Sequence, residues 1–462
     1  MTKALVIGAG IAGLTAARAL CRDAGFRVLV VEKESRPGGL AITLERAGCR
    51  VDLGPHRIHT ELPEAQAVFD EAPPDHRTVA PRRSQMLVRG HLFDYPPSPR
   101  EFALRMPLRS IGFGLSLLAA RMGGGAGRDE PESFASVARA MYGRRLSRFF
   151  FEPFARKVWK TDSDRLSTDL VRLRIASGNG GLANVLRPQT LDQVRYLRGG
   201  IEALPLRLAG DVEREGGEIL LDAEVVALEG EENRVGAVVC KTKDGPQRFE
   251  PDVVLSTAPL PQLAGWLQPL RADGAAAKSA QGLEFIKMVF VNLIVDKPRV
   301  SDNTWIYFPE SHVLINRAHE PKNFDPGMAP KLRSLLCGEV TCRGDDDNWR
   351  ANDSQLVETL RMELHHFKVL HRRDIVQSFV HRIEYGYPLY TLDYRKRLDP
   401  ILRYVGGFQN VVTFGRQGLF AHNNMDHSIV MGLRAAEAVQ HSNPAGAMRA
   451  NMEEFRRFRI VD

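Results

Sequence analysis

One short stretch constrains this chain more than any other, the G-A-G-I-A-G at 8–13 together with what flanks it. An apolar run over 3–7 leads in, an Ala-rich segment over 14–21 follows, and a second apolar run over 27–31 ends in Glu32. Strand, glycine turn, helix, strand and acid within about 30 residues make a dinucleotide-binding βαβ unit. Gly8 permits the tight turn, Gly10 lets the backbone approach a pyrophosphate, and Gly13 lets helix and strand pack closely. Ile11 and Ala12 lie within the turn as cofactor neighbours, and the N-terminus of the helix that follows offers free N–H groups and a partial positive charge to phosphates. Glu32 is placed to accept from ribose hydroxyls, with Lys33 beside it. In E-K-E-S-R-P-G-G over 32–39, Arg36 adds charge near the phosphates. The Gly38-Gly39 pair, followed by Leu40, allows close backbone approach to the cofactor.

Beyond this unit, apolar spacing of three and four over 102–121 and 134–158 predicts helices, separated by the glycine-rich 123–127. From 195 to 260 the βαβ style returns. Gly199-Gly200 precedes a helix over 202–215, then strands over 218–221, 234–241 and 253–257; Val225 and Thr257, in this stretch, are expected beside the cofactor. Strand-like runs cover 285–295, 305–308, 313–315 and 334–340, and 356–370 reads as an amphipathic helix. A final strand over 411–414 meets Gly415-Arg416, and the last helix begins near His427. The expected class is α/β: a Rossmann-like cofactor domain assembled from 1–62, 195–280 and 400–462. Into it are inserted a mainly helical segment, 63–194, and an antiparallel-sheet substrate domain, 281–399.

Composition narrows the partners. Of 462 residues, 44% are hydrophobic and 26% charged, which fits neither a disordered chain nor a membrane bundle. The net charge of +7 comes mostly from dispersed arginines without interleaved aromatics, so an anionic small molecule fits better than nucleic acid. Five scattered cysteines, with no C-x-x-C, argue against a disulfide framework; Cys337 and Cys342 read as buried small hydrophobes. The chain enters a strand at once, with no basic segment leading into an apolar one, so a cytoplasmic protein is expected. The most apolar window, 111–120, is about ten residues between arginines, too short to span a bilayer. A buried helix, peripheral association with a membrane surface and the lining of an apolar entry remain open for it.

Further motifs carry a family resemblance. These are G-P-H-R-I-H-T at 54–60, F-E-P-F-A-R-K-V-W at 151–159, and W-I-Y-F-P at 305–309 followed by Asn316-Arg317-Ala318. The C-terminal G-R-Q-G at 415–418 and N-N-M-D-H-S at 423–428 complete the set. With the glycine fingerprint they resemble the flavin amine-oxidase superfamily, in particular its branch of UDP-galactopyranose mutases and protoporphyrinogen-oxidase-like enzymes. The pattern departs at Lys160, where the mutases carry glycine. The resemblance implies FAD, with Gly54, Pro55 and His56 beside the flavin and His56 as a candidate proton carrier; no cysteine or histidine attachment motif stands out, so the FAD is expected to be non-covalent. It implies Gly415, Arg416, Asn424, Met425, Asp426 and Ser428 on the flavin side, a plain N-cap being the alternative for Asp426. Trp159, Arg317, one of Arg172 and Arg174, and Tyr385 and Tyr387 would face an anionic substrate; a structural ion pair is the alternative for Arg317. No metal site is expected, since His56 and His59 lack flanking acids or cysteines. A homodimer is among the expected partners. Two reactions are open: hydride transfer from substrate to flavin N5, or a redox-neutral ring isomerisation of a nucleotide sugar that uses reduced FAD as nucleophile.

Overall fold

In the computed structural model, which describes residues 1–95, 99–122, 132–172 and 193–460, the first unit forms as its pattern predicts. Strand β1 (Thr2–Ile7), helix α1 (Ile11–Cys21) and strand β2 (Phe26–Val31) follow one another, and the two strands pair in parallel, Lys3 opposite Arg27. Glu218–Leu220 joins beyond β2, while Val253–Ser256 and Val411–Thr413 join on the other side of β1, all in parallel. Both faces of this sheet are covered, which is why its strands are continuous apolar runs. Ala4, Val6, Val28, Val30 and Leu255 pack under α1 and Met425–Ala438, while Leu5, Ile7, Val31 and Val254 pack into the core on the opposite face.

The second sheet is built across the insertions. Its seven strands run in the order Ile375–Pro388, Phe285–Val295, Ser334–Cys342, Arg317–His319, Trp305–Tyr307, Ser84–Val88 and His91–Asp94. The last two come from the segment expected to be mainly helical. Ser84–Val88 extends the sheet by pairing in parallel with Trp305–Tyr307, a long-range contact that local periodicity cannot reveal. A third, antiparallel sheet of Glu224–Glu231, Arg234–Thr242 and Gly245–Phe249 leads into Val253–Ser256.

Other differences have local causes. The helix expected over 102–121 is two, Pro99–Arg105 and Pro107–Met122, because Pro107 starts a helix well and continues one badly. The run over 134–158 breaks after Phe134–Tyr142 at Gly143, where φ is 78° and a Cβ would lie 2.8 Å from the Ser116 and Leu117 backbone, so no side chain fits. Residues 313–315 form no strand; Arg317–His319 does, in register with Cys337–Glu339. The helix expected from His427 begins at Met425, and Pro444–Ala450 and Met452–Arg456 follow it. The 111–120 window lies on the surface.

Lys160 ends the helix Glu152–Trp159 in the left-handed region, at φ 51° and ψ 31°. That conformation suits glycine and costs another residue about 1–2 kcal/mol. Its ammonium lies 3.5 Å from Asp346, a partly exposed pair worth about 0–1 kcal/mol. Lys160→Gly should therefore leave stability unchanged or raise it by up to about 1 kcal/mol. A drop in thermal midpoint would overturn this account of the helix end.

Candidate functional site

The strand order runs one way from β1 to β2 and the other way from β1 to Val253–Ser256, so the carboxyl ends of β1 and Val253–Ser256 open the crevice where α/β sheets bind ligands. Gly8 sits there at φ 101°, its N–H donating to the Val31 carbonyl at 2.8 Å. A Cβ on Gly8 would lie 2.2 Å from the Thr257 hydroxyl, and one on Gly13 would lie 2.0 Å from the Gly8 carbonyl oxygen. These two glycines are demanded by packing. Gly10 differs: a Cβ there meets nothing within 4 Å. Its open face is the space a pyrophosphate needs at the start of α1, which has no side-chain cap on its N–H groups. Gly38 and Gly39 close against this turn, Gly38 N–H donating to Ala9 O at 2.9 Å, and a Cβ on Gly39 would lie 3.3 Å from Gly10 Cα. Leu40 follows on the surface side of that turn, half-buried.

Glu32 is buried and accepts from the Ala9 N–H at 2.7 Å and the Glu34 N–H at 3.0 Å. Burial raises its pKa from the ordinary value, while the two N–H donors oppose the rise. A carboxylate has about four acceptor positions, so capacity remains for ribose hydroxyls. Lys33 instead lies exposed beside Glu34, and Arg36 turns to Glu202 at 3.2 Å and to the Thr43 carbonyl at 3.3 Å. Thr257 donates to the Ile7 carbonyl at 2.8 Å, and Val225 is buried opposite Cys240. Across the crevice, Gly415 at φ 80° brings its chain against Ala12, and a Cβ on it would lie 3.1 Å from the Ala12 Cβ. Asn424 is the N-cap of Met425–Ala438, its own N–H donating to His427 Nδ1 at 3.1 Å, and Ser428 N–H donates to the Asn424 carbonyl at 3.1 Å. Asp426 is therefore no N-cap. Its carboxylate accepts from the Thr60 hydroxyl at 2.8 Å and so ties the 54–60 loop to this helix. The open Gly10 face, the buried Glu32 and the uncapped α1 fit the adenosine diphosphate half of FAD.

The 54–60 loop also borders the second sheet. Gly54, at φ 88°, stands where a Cβ would be 3.8 Å from Glu339 and 3.9 Å from Arg317. Arg317 and Glu339 face each other in register, and the guanidinium donates from Nε and Nη2 to the two carboxylate oxygens at 2.9 and 2.8 Å. The arginine beside it holds the Glu339 carboxyl down to about 2 despite full burial. His319 Nδ1 lies 3.5 Å from Glu339, and burial lowers the histidine's pKa. His56 has Nδ1 4.0 Å from Asp52, and no hydrogen bond reaches that nitrogen. Burial and the nearby Arg416 push its pKa down to about 3, so at neutral pH the ring is uncharged. Asp52 is itself a buried anchor, accepting from Tyr196 Oη at 2.6 Å and Thr43 Oγ1 at 2.7 Å, with burial raising its pKa to about 6.

Beside these groups lies an aromatic wall. Trp159 packs edge-on against Tyr387 and His422, with centroids 6.1 and 5.5 Å away. Arg416 stacks over Tyr387 at 5.6 Å and donates to Asn423, through Nε to the side chain at 3.2 Å and through Nη2 to the carbonyl. Among the described residues no carboxylate pairs with Arg416, and burial lowers its pKa. Tyr385 lies one bonding step away, its carbonyl accepting from Gln417 and its ring edge-on to Phe285. Arg174 lies outside the described residues, as does the side chain of Arg172.

Reading the sequence alone missed Glu339, His319, Asp52, Tyr196 and His422. Glu339 had a signal: it is the acid within S-L-L-C-G-E-V-T-C, a strand buried along its whole length, where a charge requires a partner. Cys337 and Cys342, in the same strand, are buried and free.

A profile described as flavin containing amine oxidoreductase matches residues 11–440. A reduced UDP-galactopyranose mutase shares the fold at a TM-score of 0.80 and 21% identity, over 99% of both chains. Chloroplastic protoporphyrinogen oxidase of rice is 27% identical over 305 residues, 60% of this chain and 56% of that protein. Phytoene dehydrogenase of Streptomyces griseus is 30% identical over 301 residues, 56% of this chain and 54% of that protein. The chain thus spans about half the length of these curated relatives.

Proposed function

The chain belongs to the flavin-containing amine oxidoreductases, a family of FAD enzymes, and on that basis we propose that it oxidises an anionic small molecule. FAD, its adenosine diphosphate half held by the open Gly10 face, the start of α1 and Glu32, would supply a two-electron acceptor for a hydride from a substrate C–H. The observation that carries the proposal is Arg416, a half-buried cation that donates to Asn423 and the Gly386 carbonyl and meets no carboxylate among the described residues, set against Tyr387 beside Trp159 and His422. A partly desolvated charge without a counter-charge is costly, and an anionic ligand relieves that cost. The aromatic wall excludes water from the same space and gives a ring or chain a flat surface. His56, neutral at working pH, has an Nδ1 with no hydrogen-bond partner among the described residues and carries no charge there. Its titration should therefore leave no inflection near pH 6.5 in kcat/KM. FAD is held without a covalent bond in this reading, and acid precipitation should release all the yellow colour; colour retained in the pellet would refute it.

Arg416→Met tests the anion reading. Losing a charge-assisted hydrogen bond costs about 1.5–3 kcal/mol, so KM for an anionic substrate should rise roughly ten- to a hundredfold. Unchanged KM, with flavin content intact, would remove Arg416 from substrate binding.

The end-to-end likeness to the mutase fold supports a second reading, the redox-neutral ring isomerisation of a nucleotide sugar. It requires a diphosphate clamp. Of the three candidate arginines only Arg317 has a described side chain, and its charge is already met by Glu339. That commitment is why oxidation is preferred. Nucleoside diphosphates titrated into oxidised and reduced holoenzyme decide between them. Tight binding that Arg317→Ala abolishes, without substrate-dependent oxygen uptake, would move the assignment to the isomerase.

A further inference from the structure

We infer that the face formed by Pro107–Met122 and the segment beside it is a docking surface for an anionic membrane. Leu104, Leu108, Ile111, Leu115, Leu118 and Met122 are each between 54% and 87% exposed. Leu104 belongs to the preceding helix Pro99–Arg105; the other five, spaced three, four, three and four along Pro107–Met122, lie at about 100° per residue within about 80° of one another on the helical circumference. The opposite face does the ordinary work of a helix. Phe102 and Met106 are buried, and Phe113 packs against Phe102 and Phe149, with centroids 5.8 and 5.3 Å apart. The helix is thus apolar on two sides, and only one of them has a protein partner among the described residues.

Charge decides what covers the other. No acidic residue occurs between 102 and 122. Arg105, Arg109, Arg144, Arg145 and Arg148 are exposed and, among the described residues, enter no ion pair. The 144–148 segment lies against the same helix. Arg145 N–H donates to Ser116 Oγ at 3.0 Å, and its guanidinium is 2.7 Å from where a Gly112 Cβ would stand. Arg109 and Arg89 lie over the Phe149 ring at 5.0 and 5.5 Å. An exposed apolar stripe rimmed by unneutralised arginines matches a helix that lies in a lipid interface, its apolar face among acyl chains and its cations among anionic headgroups. A second copy of the helix would set arginine against arginine with no acid to relieve the repulsion. None of the described helices is long and apolar enough to cross a membrane.

Sedimentation of the full-length holoenzyme with phosphatidylcholine vesicles, with and without phosphatidylglycerol, tests this. At least a tenfold enrichment on the anionic vesicles is expected. It should weaken as salt shortens the screening length from about 10 Å at 0.1 M to about 3 Å at 1 M. The paired substitution Leu108→Gln and Leu115→Gln, both on the exposed stripe, should abolish it while thermal midpoint and flavin content stay unchanged. Equal recovery on both vesicle types, or enrichment that survives the paired substitution, would overturn the inference. So would a dimer in size exclusion that the same substitution splits, since a second copy would then be the occupant.

Discussion

Glu339→Gln should destabilise the protein by about 3–5 kcal/mol, the usual cost of leaving one partner of a buried ion pair uncompensated. Arg317 would keep its position opposite residue 339 in the ladder, with Gln able to accept only one of the two hydrogen bonds now made. The cation would then face Gly54 and the aromatic wall with nothing to neutralise it. Replacing both residues, Arg317→Met with Glu339→Leu, should recover much of the loss, because apolar side chains of similar size carry no desolvation penalty. The pH dependence has a definite sign. Glu339 titrates near 2 when folded and near about 4.3 when unfolded, so its contribution is complete above the unfolded value and lost as pH falls toward 2. Acid denaturation of the wild type between about pH 5 and 2 should be steeper than that of Glu339→Gln. A Gln variant within about 0.5 kcal/mol of wild type would mean that the pair is solvated in solution, and Arg317 would again be free to clamp a phosphate.

Gly10→Ala should fold and lose its FAD. The backbone at Gly10, φ −76°, is open to any residue, and the added methyl meets no protein atom within 4 Å. Only the ligand's space is taken, so the apoprotein should keep its thermal midpoint while FAD affinity falls at least about a hundredfold, or about 2.7 kcal/mol. Gly13→Ala is the contrasting case. Its methyl would stand 2.0 Å from the Gly8 carbonyl oxygen and 3.3 Å from Val6. The Gly8 backbone must move and the Val6 side chain must give, at a cost of at least about 1–3 kcal/mol, so fold and cofactor should fail together. Absorbance at the flavin band, read beside thermal unfolding of apoprotein, separates the two. A Gly10→Ala variant that purifies fully yellow would remove the pyrophosphate from that face.

The βαβ unit was legible because each part of its chemistry is local. Turn, helix start and acid sit within one stretch, and the clash that demands Gly13 is with Gly8, five residues away. Gly8 already reaches further, since the side chain it makes room for is Thr257. The C-terminal motif was legible by resemblance, yet its details depend on distant partners. Asp426 reads as an N-cap candidate until Thr60, 366 residues earlier, takes its carboxylate. Arg36 and Arg317 show the same limit: an arginine's type announces an anion, but not whether that anion is a phosphate or the protein's own Glu202 or Glu339.

The cofactor cradle, the parallel order around it and the apolar runs that are covered on both faces of the first sheet were thus written along the chain. Local propensity and periodicity suffice for those. Three-dimensional packing was needed to bring Ser84–Val88 into the second sheet, to set Glu339 against Arg317 and to leave Arg416 half-buried without an acid among the described residues. It also put the 107–122 stripe outside. These outcomes rest on which charges and apolar faces meet across hundreds of residues, and a pattern read along the chain does not contain that information.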